Sequence, residues 1–483
     1  MKYKYLLILF FMPLTTSFAE EQNLLNDIAE TNTLSYALSQ GKFKGLLRYS
    51  GQYRDSNLHV IQDSPTTNTA NEKTQQYSAI GGYLGYETAP LYNTSVGATL
   101  YTSQPFGNNP DDRKGLGGLY ENNGEQESYT VFGEAFIKFE IDDHLIKVGR
   151  QEMPDYRFVS LSDIRMTPLT HEGVIYENTF FNHFKLNFAY ITKMKERNAE
   201  KFIDMATAAR FKEKASSGKR LIRGNYDPTD YDSSGYIGRK KEMSMAGLIY
   251  TNDTFSVEGW NYYINDFINT LYLYGQYNIT PVNSDLALSL SAQYANQSDV
   301  GDHIAGNIDT WFYGLKFQAV INRTTFFIGY NEVDYNENSY DGGTIFVRWG
   351  SPQMFNSFQV QDSELAGTQS IGAGVQYQFS QNSIIPGVIM RLRYANYDMP
   401  NSLYKTDARQ DRSETTFDLN YAFAKETNIG GVSLDGLSIQ FRVAYNNYDT
   451  GYDFAAYKQI HGYDAESVTD DFIDTRLYLN YKF

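Results

Sequence analysis

The chain has 483 residues, a formal net charge of −16 at pH 7 and no cysteine. The negative charge argues against nucleic acid as a partner, because nucleic-acid binding needs a basic face. The absence of cysteine excludes disulfides as a source of stability. A mean hydropathy of −0.48 argues against a helical membrane protein. The 41 Tyr residues favour surfaces that are apolar on one side and wet on the other.

The N-terminus has the pattern of a secretory signal. Lys2 and Lys4 precede an apolar run over 6–14, which is too short to span a bilayer, and small residues lead to Ala19. We predict a signal peptide over 1–19, cleaved after Ala19, and a short periplasmic segment over 20–41. The alternative is a buried N-terminal helix, which the two lysines and the polar end of the run disfavour.

Residues 42–54 alternate in character with a period of two. Phe43, Leu47 and Tyr53 fall in one row, and Lys44 and Arg48 fall in the other. Successive side chains of a strand point to opposite faces, so this pattern predicts a β-strand with one apolar and one polar face.

The alternation continues to the last residue and predicts about 18 strands. In 128–141 it places Tyr129, Val131, Ala135, Ile137 and Phe139 in one apolar row. The predicted strands begin near residues 42, 76, 91, 127, 143, 171, 183, 242, 254, 268, 285, 309, 323, 368, 386, 414, 435 and 473.

The connections between these segments alternate between short and long, with one exception at 265–267. Such alternation is typical of an up-and-down antiparallel transmembrane β-barrel with short periplasmic turns and long extracellular loops. We therefore predict an all-β chain with a single barrel domain over 42–483. Its apolar rows face lipid and its polar rows face an aqueous lumen, because a closed barrel leaves no backbone group unpaired in a bilayer.

Residues 145–178 carry more specific motifs, a strand ending in Val-Gly-Arg-Gln and then Ser-Asp-x-Arg-x-x-Pro, which supply Gly149, Arg150, Asp163, Arg165 and Pro168. This stretch resembles the OprD-type porins, the outer-membrane carboxylate channel family, to which campylobacterial-type major porins are related. The start of the mature chain and a late hairpin are also similar to that family. The final strand, which ends on Phe483, resembles the insertion signal of outer-membrane barrels.

The resemblance implies a porin for passive diffusion of small hydrophilic solutes or ions, small carboxylates above all, guided by a ladder of basic side chains. It also implies that the third long loop (152–170) constricts the pore, with help from the seventh (333–367). The candidate pore-lining and constriction residues are Lys44, Arg48, Arg54, Arg150, Arg157, Asp163, Arg165, Arg391, Arg393 and Arg442.

Several alternatives remain open from the sequence. The inward cations could pair with Glu134, Glu140 or Asp418 instead of forming a ladder, and Asp163 and Arg165 could only attach their loop to the wall. The acidic balance allows a cation-selective general porin. A basic loop over 194–241 allows an adhesin or receptor barrel; its cations are Lys195, Arg197, Lys212, Lys214, Lys219 and Arg220.

The remaining expectations concern partners and chemistry. We expect no enzyme activity, no cofactor and no metal site. The stretch 334–343 has calcium-loop spacing, but Ser339 and Ile345 occupy the positions where that loop needs Gly and Glu. The expected partners are outer-membrane lipid, lipopolysaccharide and small solutes, and the sequence allows a homotrimer.

Overall fold

The strands that the alternation predicts are visible in the computed structural model of the chain. The structure describes residues 33–483 apart from 61–69, 108, 110–119, 123–124, 180, 210–240, 282–284, 351–352, 362, 381–382, 384, 400–410, 425–426 and 450–466. The predicted signal peptide lies outside the described residues, as does most of the segment that follows it.

Eighteen long strands, here β1–β18, and one two-residue strand make up one antiparallel sheet within the described residues. In chain order the long strands are Lys42–Val60, Ala70–Glu87, Thr94–Pro105, Tyr129–Ile141, His144–Gln151, Thr170–Asn178, Phe184–Lys195, Met243–Thr251, Phe255–Ile264, Ile268–Ile279, Leu286–Asp299, Asp309–Ile321, Thr324–Val333, Gln369–Gln378, Ile389–Asp398, Arg412–Ala422, Leu437–Tyr448 and Ser467–Lys482.

The other elements are short. Helices α1 and α2 cover Leu34–Ser39 and Met205–Ala208, and a 3₁₀ turn covers Tyr340–Gly342. The minor strands are Tyr120–Asn122, Glu125–Glu127, Ile203–Asp204, Asn428–Ile429 and Val432–Ser433. Among the described residues, no helix has both the length and the apolar character needed to cross a membrane.

The sheet closes on itself through its first and last strands. In β1, Arg48 lies opposite Gly81 of β2 on one side and opposite Asn480 of β18 on the other. Because each of the long strands that the structure describes pairs with its two neighbours, these strands leave no free edge, which is the condition for a β-structure to span a bilayer. The predicted fold class, a closed barrel of 18 antiparallel strands, is confirmed.

Antiparallel pairing places alternate connections at the same rim. The two-residue turns 142–143 and 322–323 lie at the rim where the chain enters and leaves the barrel, which we call the short-turn rim. The connections 152–169, 196–242 and 334–368, here L3, L4 and L7, lie at the opposite, long-loop rim. The short connection 265–267 also lies there, as the strand count requires.

The two rows of β1 face as predicted. Phe43 and Leu47 are 71% and 59% exposed on the outer face, whereas Arg48 and Gln52 are buried on the lumen side. In β3 the exposed Val96 alternates with the buried Ser95, and the same alternation continues along the strand. The apolar belt therefore faces outward, where lipid replaces water.

Because of a β-bulge, the side-chain rows of β4 differ from the predicted rows. The register between β3 and β4 shifts between Thr99 and Leu100, so one extra residue of β4 interrupts the alternation. Tyr129 is therefore buried on the lumen side, and Phe132 takes an outward position with 55% exposure. Ala135, Ile137 and Phe139, which follow the bulge, face outward as predicted. A one-residue insertion reverses the facing of every residue on one side of it.

Three connections enter the lumen and form an apolar core with part of its wall. L3, the first part of L4 (196–209) and L7 pack against inward aromatic side chains of β9, β10 and β12. Phe158 of L3 lies 5.5 Å from Tyr272 and 5.6 Å from Tyr262 between ring centroids. The members of this apolar core include Met153, Phe158, Met205, Trp260, Tyr262, Tyr272, Phe312, Phe346 and Trp349. This apolar core lies against the side of the lumen formed by β9, β10 and β12.

Candidate functional site

L3 meets the barrel wall through a bidentate ion pair. The guanidinium of Arg48 donates from Nη1 and Nη2 to the two carboxylate oxygens of Asp163, at 2.6 and 3.0 Å. Nη1 also donates to the carbonyl oxygen of Arg165 at 2.5 Å, and Nε donates to Asn480 Oδ1 at 2.7 Å. The parallel geometry fixes both partners and makes the pair stronger than an exposed one. Arg48 is nearly buried, while the Asp163 side chain is 29% exposed to the lumen.

Further bonds hold the same part of L3 on β1 and β18. Arg165 Nη1 donates to Gln52 Oε1 at 2.7 Å, and the Tyr478 hydroxyl donates to the Ile164 carbonyl at 3.1 Å. Leu161 and Ile164 remain about two-fifths exposed. The Ser-Asp-x-Arg motif therefore forms a polar attachment that leaves two apolar side chains at the open surface.

The other end of L3 is fastened to the opposite wall. Arg157 forms a bidentate ion pair with Glu258 of β9, and Trp260 Nε1 donates to the same carboxylate at 3.0 Å. Burial lowers the pKa of Arg157, but the hydrogen bond and charge of Glu258 outweigh it and raise that pKa, so Arg157 stays charged. L3 consequently crosses the lumen from β9 to β1.

L7 is anchored by one buried carboxylate. Glu414 of β16 accepts the backbone N–H groups of Gln359, Val360 and Gln361, at 3.2, 2.9 and 3.2 Å. Gln359 Nε2 also donates to Asp474 Oδ1 at 2.9 Å. Three successive N–H groups on one carboxylate form an anion-binding arrangement in which the anion is supplied by the wall. The position of this part of L7 therefore depends on Glu414.

Arginines on neighbouring strands form transverse rows beside these loops. Arg391 lies opposite Asp418, Asp418 opposite Arg442, and Arg442 opposite Arg476. Asp418 contacts both Arg391 and Arg442, at 3.4 and 2.9 Å. Asp418 thus serves two guanidinium groups in this row, and Arg476 pairs instead with Asp474.

The next row toward the long-loop rim is arranged in the same way. Asp474 accepts from Arg54 Nη2 at 2.8 Å and from Arg476 Nε at 2.7 Å. Arg393 donates to Thr416 and lies 4.7 Å from the ring centroid of Phe358 of L7. The wall formed by β15–β18 and β1 therefore carries arginines at several heights.

A further group of polar side chains belongs to β1, β3, β4 and the first residue of L3. Lys44 pairs with Glu134, which also accepts from Thr99 at 2.6 Å, and the Lys44 side chain is 46% exposed. Glu152, the first residue of L3, accepts from the Tyr101 hydroxyl at 2.8 Å. Burial, together with the nearby charge of Glu134, raises the pKa of Glu152. Glu152 therefore takes up a proton at a higher pH than an ordinary glutamate does.

The structure does not bring all the predicted residues together. Arg48, Asp163 and Arg165 form one cluster, Arg391 and Arg442 share Asp418, and Arg54, Arg393 and Lys44 lie at other heights of the same polar side. Arg157 is separate, on the wall of β9.

Arg150 requires a correction, because it does not face the lumen. It lies opposite the outward Ala135, in the row of the exposed Ile146 and Val148, and pairs with Glu172 at 3.0 Å. The basic segment considered for an adhesin also departs from expectation where it is described. Lys195 is buried, and the Arg197 carbonyl accepts from Tyr129. Residues Lys212, Lys214, Lys219 and Arg220 lie outside the described residues.

Sequence reasoning missed several groups of this site. Arg476 and Asp474 share the inward row of the last strand, so their parity could have identified them. Glu414 has no such signal, because its role depends on where L7 returns to the wall. Glu152 follows the strand end directly, and only the folded loop places it beside Glu134.

A closed barrel with an apolar exterior, a polar wall and loops folded into its lumen defines an outer-membrane porin. The family model described as "outer membrane porin, OprD family" matches residues 107–482. The chain therefore belongs to the OprD family and is located in the outer membrane, as predicted. Its fold and family are those of a channel rather than an enzyme.

Solved structures agree with this assignment. Pseudomonas aeruginosa OccK9 (OpdG) is 16% identical with a TM-score of 0.68, and P. aeruginosa OpdK, determined with vanillate, is 19% identical with a TM-score of 0.66. Acinetobacter baumannii OccAB3 is 17% identical with a TM-score of 0.67. Each comparison covers 92% of this chain and 99% of the other. A search of curated proteins found no match.

Proposed function

We propose that this porin passes small carboxylates, and that the arginines of β1 and β15–β18 conduct them past L3. The observation that carries the proposal is the Arg48–Asp163 pair. A carboxylate of the chain itself occupies the bidentate position on an inward arginine, and this is the binding mode that a solute carboxylate would use.

The distribution of cations supports a stepwise path. Arg54, Arg48 and Lys44 follow one another on the lumen face of β1, with Arg54 and Arg48 about 20 Å apart along the strand. A row of separated positive groups concentrates anions, while the partial pairing of each group keeps the individual sites weak enough for release. L3, which the sequence predicts over 152–170, is the constricting loop in this proposal, and L7 narrows the path from the other side.

One property of the site favours carboxylates with an apolar body. Leu161 and Ile164 are exposed beside the Arg48 cluster, and they offer apolar contact at the height of the charged group. Vanillate, present in the OpdK structure, is a carboxylate of that type. We propose benzoate-like solutes as the first to test.

The test is electrical and uses the full mature chain in planar bilayers. The reversal potential in a KCl gradient gives the sign of selectivity, and liposome swelling compares benzoate with a neutral sugar of similar size. Anion preference and faster benzoate entry are expected. Cation preference would instead support the general-porin alternative, which the net charge of −16 favours. The absence of single-channel steps would support an adhesin or receptor barrel.

The domain limits and the assembly state belong to the same proposal. Cleavage after Ala19, followed by a short periplasmic segment over 20–41, is tested by mass spectrometry of the mature protein. A homotrimer is tested by crosslinking in the native membrane, because the apolar outer face of the barrel can contact either lipid or another copy.

A further inference from the structure

The outer face of the barrel carries a carboxylate, Glu332, among aromatic rings at the long-loop rim. Glu332 of β13 lies in the outward row of Phe326 and Ile328, both about half exposed. The hydroxyls of Tyr313 and Tyr330 both donate to its Oε2, at 2.7 and 2.8 Å. No described residue donates to its other oxygen, Oε1. An acceptor at the edge of the apolar belt is therefore available to an external donor.

Aromatic rings surround this acceptor on the same face. Trp311 stacks on Tyr313 with centroids 5.8 Å apart and an interplanar angle of 17°, and Tyr330 lies 5.9 Å from Tyr313. On the neighbouring strand β11, Tyr294 lies opposite Tyr313 of β12, and Asn296 lies opposite Trp311 of β12. We call Asn296, Trp311, Tyr313, Tyr330 and Glu332 the outer platform.

We propose that the outer platform binds a sugar ring of the outer-leaflet glycolipid. The flat Trp311–Tyr313 pair offers apolar ring faces to the C–H face of a sugar, and Glu332 Oε1 accepts from a sugar hydroxyl. The negative charge of Glu332 repels a bare phosphate, so the hydroxyl-bearing part of the headgroup is the chemical match. This inference does not depend on the solute that the pore conducts.

An ordinary interfacial girdle does not account for this geometry. Girdle tyrosines direct their hydroxyls to water, whereas here two hydroxyls converge on one carboxylate and orient it beside the rings. Asp398 offers the comparison. It lies in the same transverse row, opposite Gln369, which lies opposite Glu332, and it is also outward and exposed. Asp398 has no tyrosine donors among the described residues, so it serves as the matched control.

Tryptophan fluorescence reports directly on the outer platform. The chain has three tryptophans, and Trp260 and Trp349 are buried in the lumen core. The full mature porin is placed in phosphatidylglycerol nanodiscs, and lipopolysaccharide is titrated in while emission is recorded. An emission shift is expected in the wild type and in D398N, and the shift should be absent in W311F. Deacylated lipopolysaccharide saccharide should compete.

E332Q should raise the lipopolysaccharide concentration at the binding midpoint by about tenfold, because the substitution removes the charged acceptor. An unchanged midpoint in E332Q would overturn the proposal. So would a shift that is lost on chelation of magnesium, since this would indicate a cation bridge to phosphate, and so would failure of the saccharide to compete. If E332Q does not insert into the nanodisc membrane, Y313F provides the test. This substitution removes one hydroxyl that orients Glu332, and it is also expected to weaken lipopolysaccharide binding.

Discussion

Arg48 of β1 and Asp163 of L3 form a bidentate ion pair with two parallel hydrogen bonds of 2.6 and 3.0 Å. Arg48 is almost fully buried, yet Asp163 is open to the lumen on one side. A solute carboxylate can therefore reach the pair only by competing with Asp163. This makes the pair the natural centre of a functional test.

Replacement of Asp163 should increase anion selectivity. D163N removes one negative charge and frees the guanidinium of Arg48 for solute anions. A change of about 1 kcal/mol in the transfer barrier corresponds to roughly fivefold in flux. The chloride-to-potassium permeability ratio from reversal potentials measures the effect. D155N, an exposed aspartate on the same loop, is the matched control and should leave the ratio unchanged.

A double-variant cycle separates charge from recognition. R48Q should shift the pore toward cations, because Asp163 is left unpaired. R48Q/D163N restores the local charge and should return the permeability ratio close to that of the wild type. Benzoate flux should remain low in the double variant, since the bidentate donor is absent. Recovery of benzoate flux along with the ratio would show that Arg48 acts only as a charge.

Lower pH should increase anion selectivity before ordinary glutamates titrate. Burial and the charge of Glu134 raise the pKa of Glu152, so this carboxyl group takes up a proton at a pH where a typical glutamate is still ionised. Its neutralisation leaves Lys44 and Arg48 less compensated. The permeability ratio measured from pH 8 to pH 4 should show this step in the wild type, and E152Q should remove it. A step that persists in E152Q belongs to another group.

Loss of the Glu414 carboxylate should loosen L7. E414Q keeps one carbonyl acceptor for the three N–H groups of 359–361, so part of the attachment is lost, at a cost of about 1–3 kcal/mol for unsatisfied groups. Noisier single-channel currents and faster proteolysis of L7 are expected. E337Q, an exposed glutamate of the same loop, is the control. Equal noise in the two variants would argue against an anchoring role.

Gly149 should tolerate no side chain. It has φ +123°, and a Cβ there would lie 2.2 Å from the Ala135 carbonyl oxygen. G149A should destabilise the barrel by about 1–3 kcal/mol, seen as a lower temperature of heat modification in gel electrophoresis. G275A is the control, because a Cβ at Gly275 meets no atom within 4 Å. Equal shifts in the two variants would contradict the prediction.

Most of the barrel was predictable because its pattern is local. Period-two alternation reports which side of a strand meets lipid, and each segment reports this independently of the others. The strand number, the alternation of loop lengths and the outward row of β18 follow from this rule. The rows of β4 before the bulge do not, because a bulge depends on the partner strand. Likewise, Arg150 was predicted to line the pore because it belongs to the Val-Gly-Arg-Gln motif, whereas it faces outward in the structure.

The sequence alone determined that the chain is an outer-membrane barrel with inward cations, since facing is decided one residue at a time by lipid and water. Only the tertiary structure decided which cations have partners. Arg48 meets Asp163, and Glu414 meets L7, through contacts between residues 115 and about 55 positions apart. The physical reason is that loop closure brings distant charges together through packing, here against the aromatic core of the lumen, and no local pattern encodes that packing.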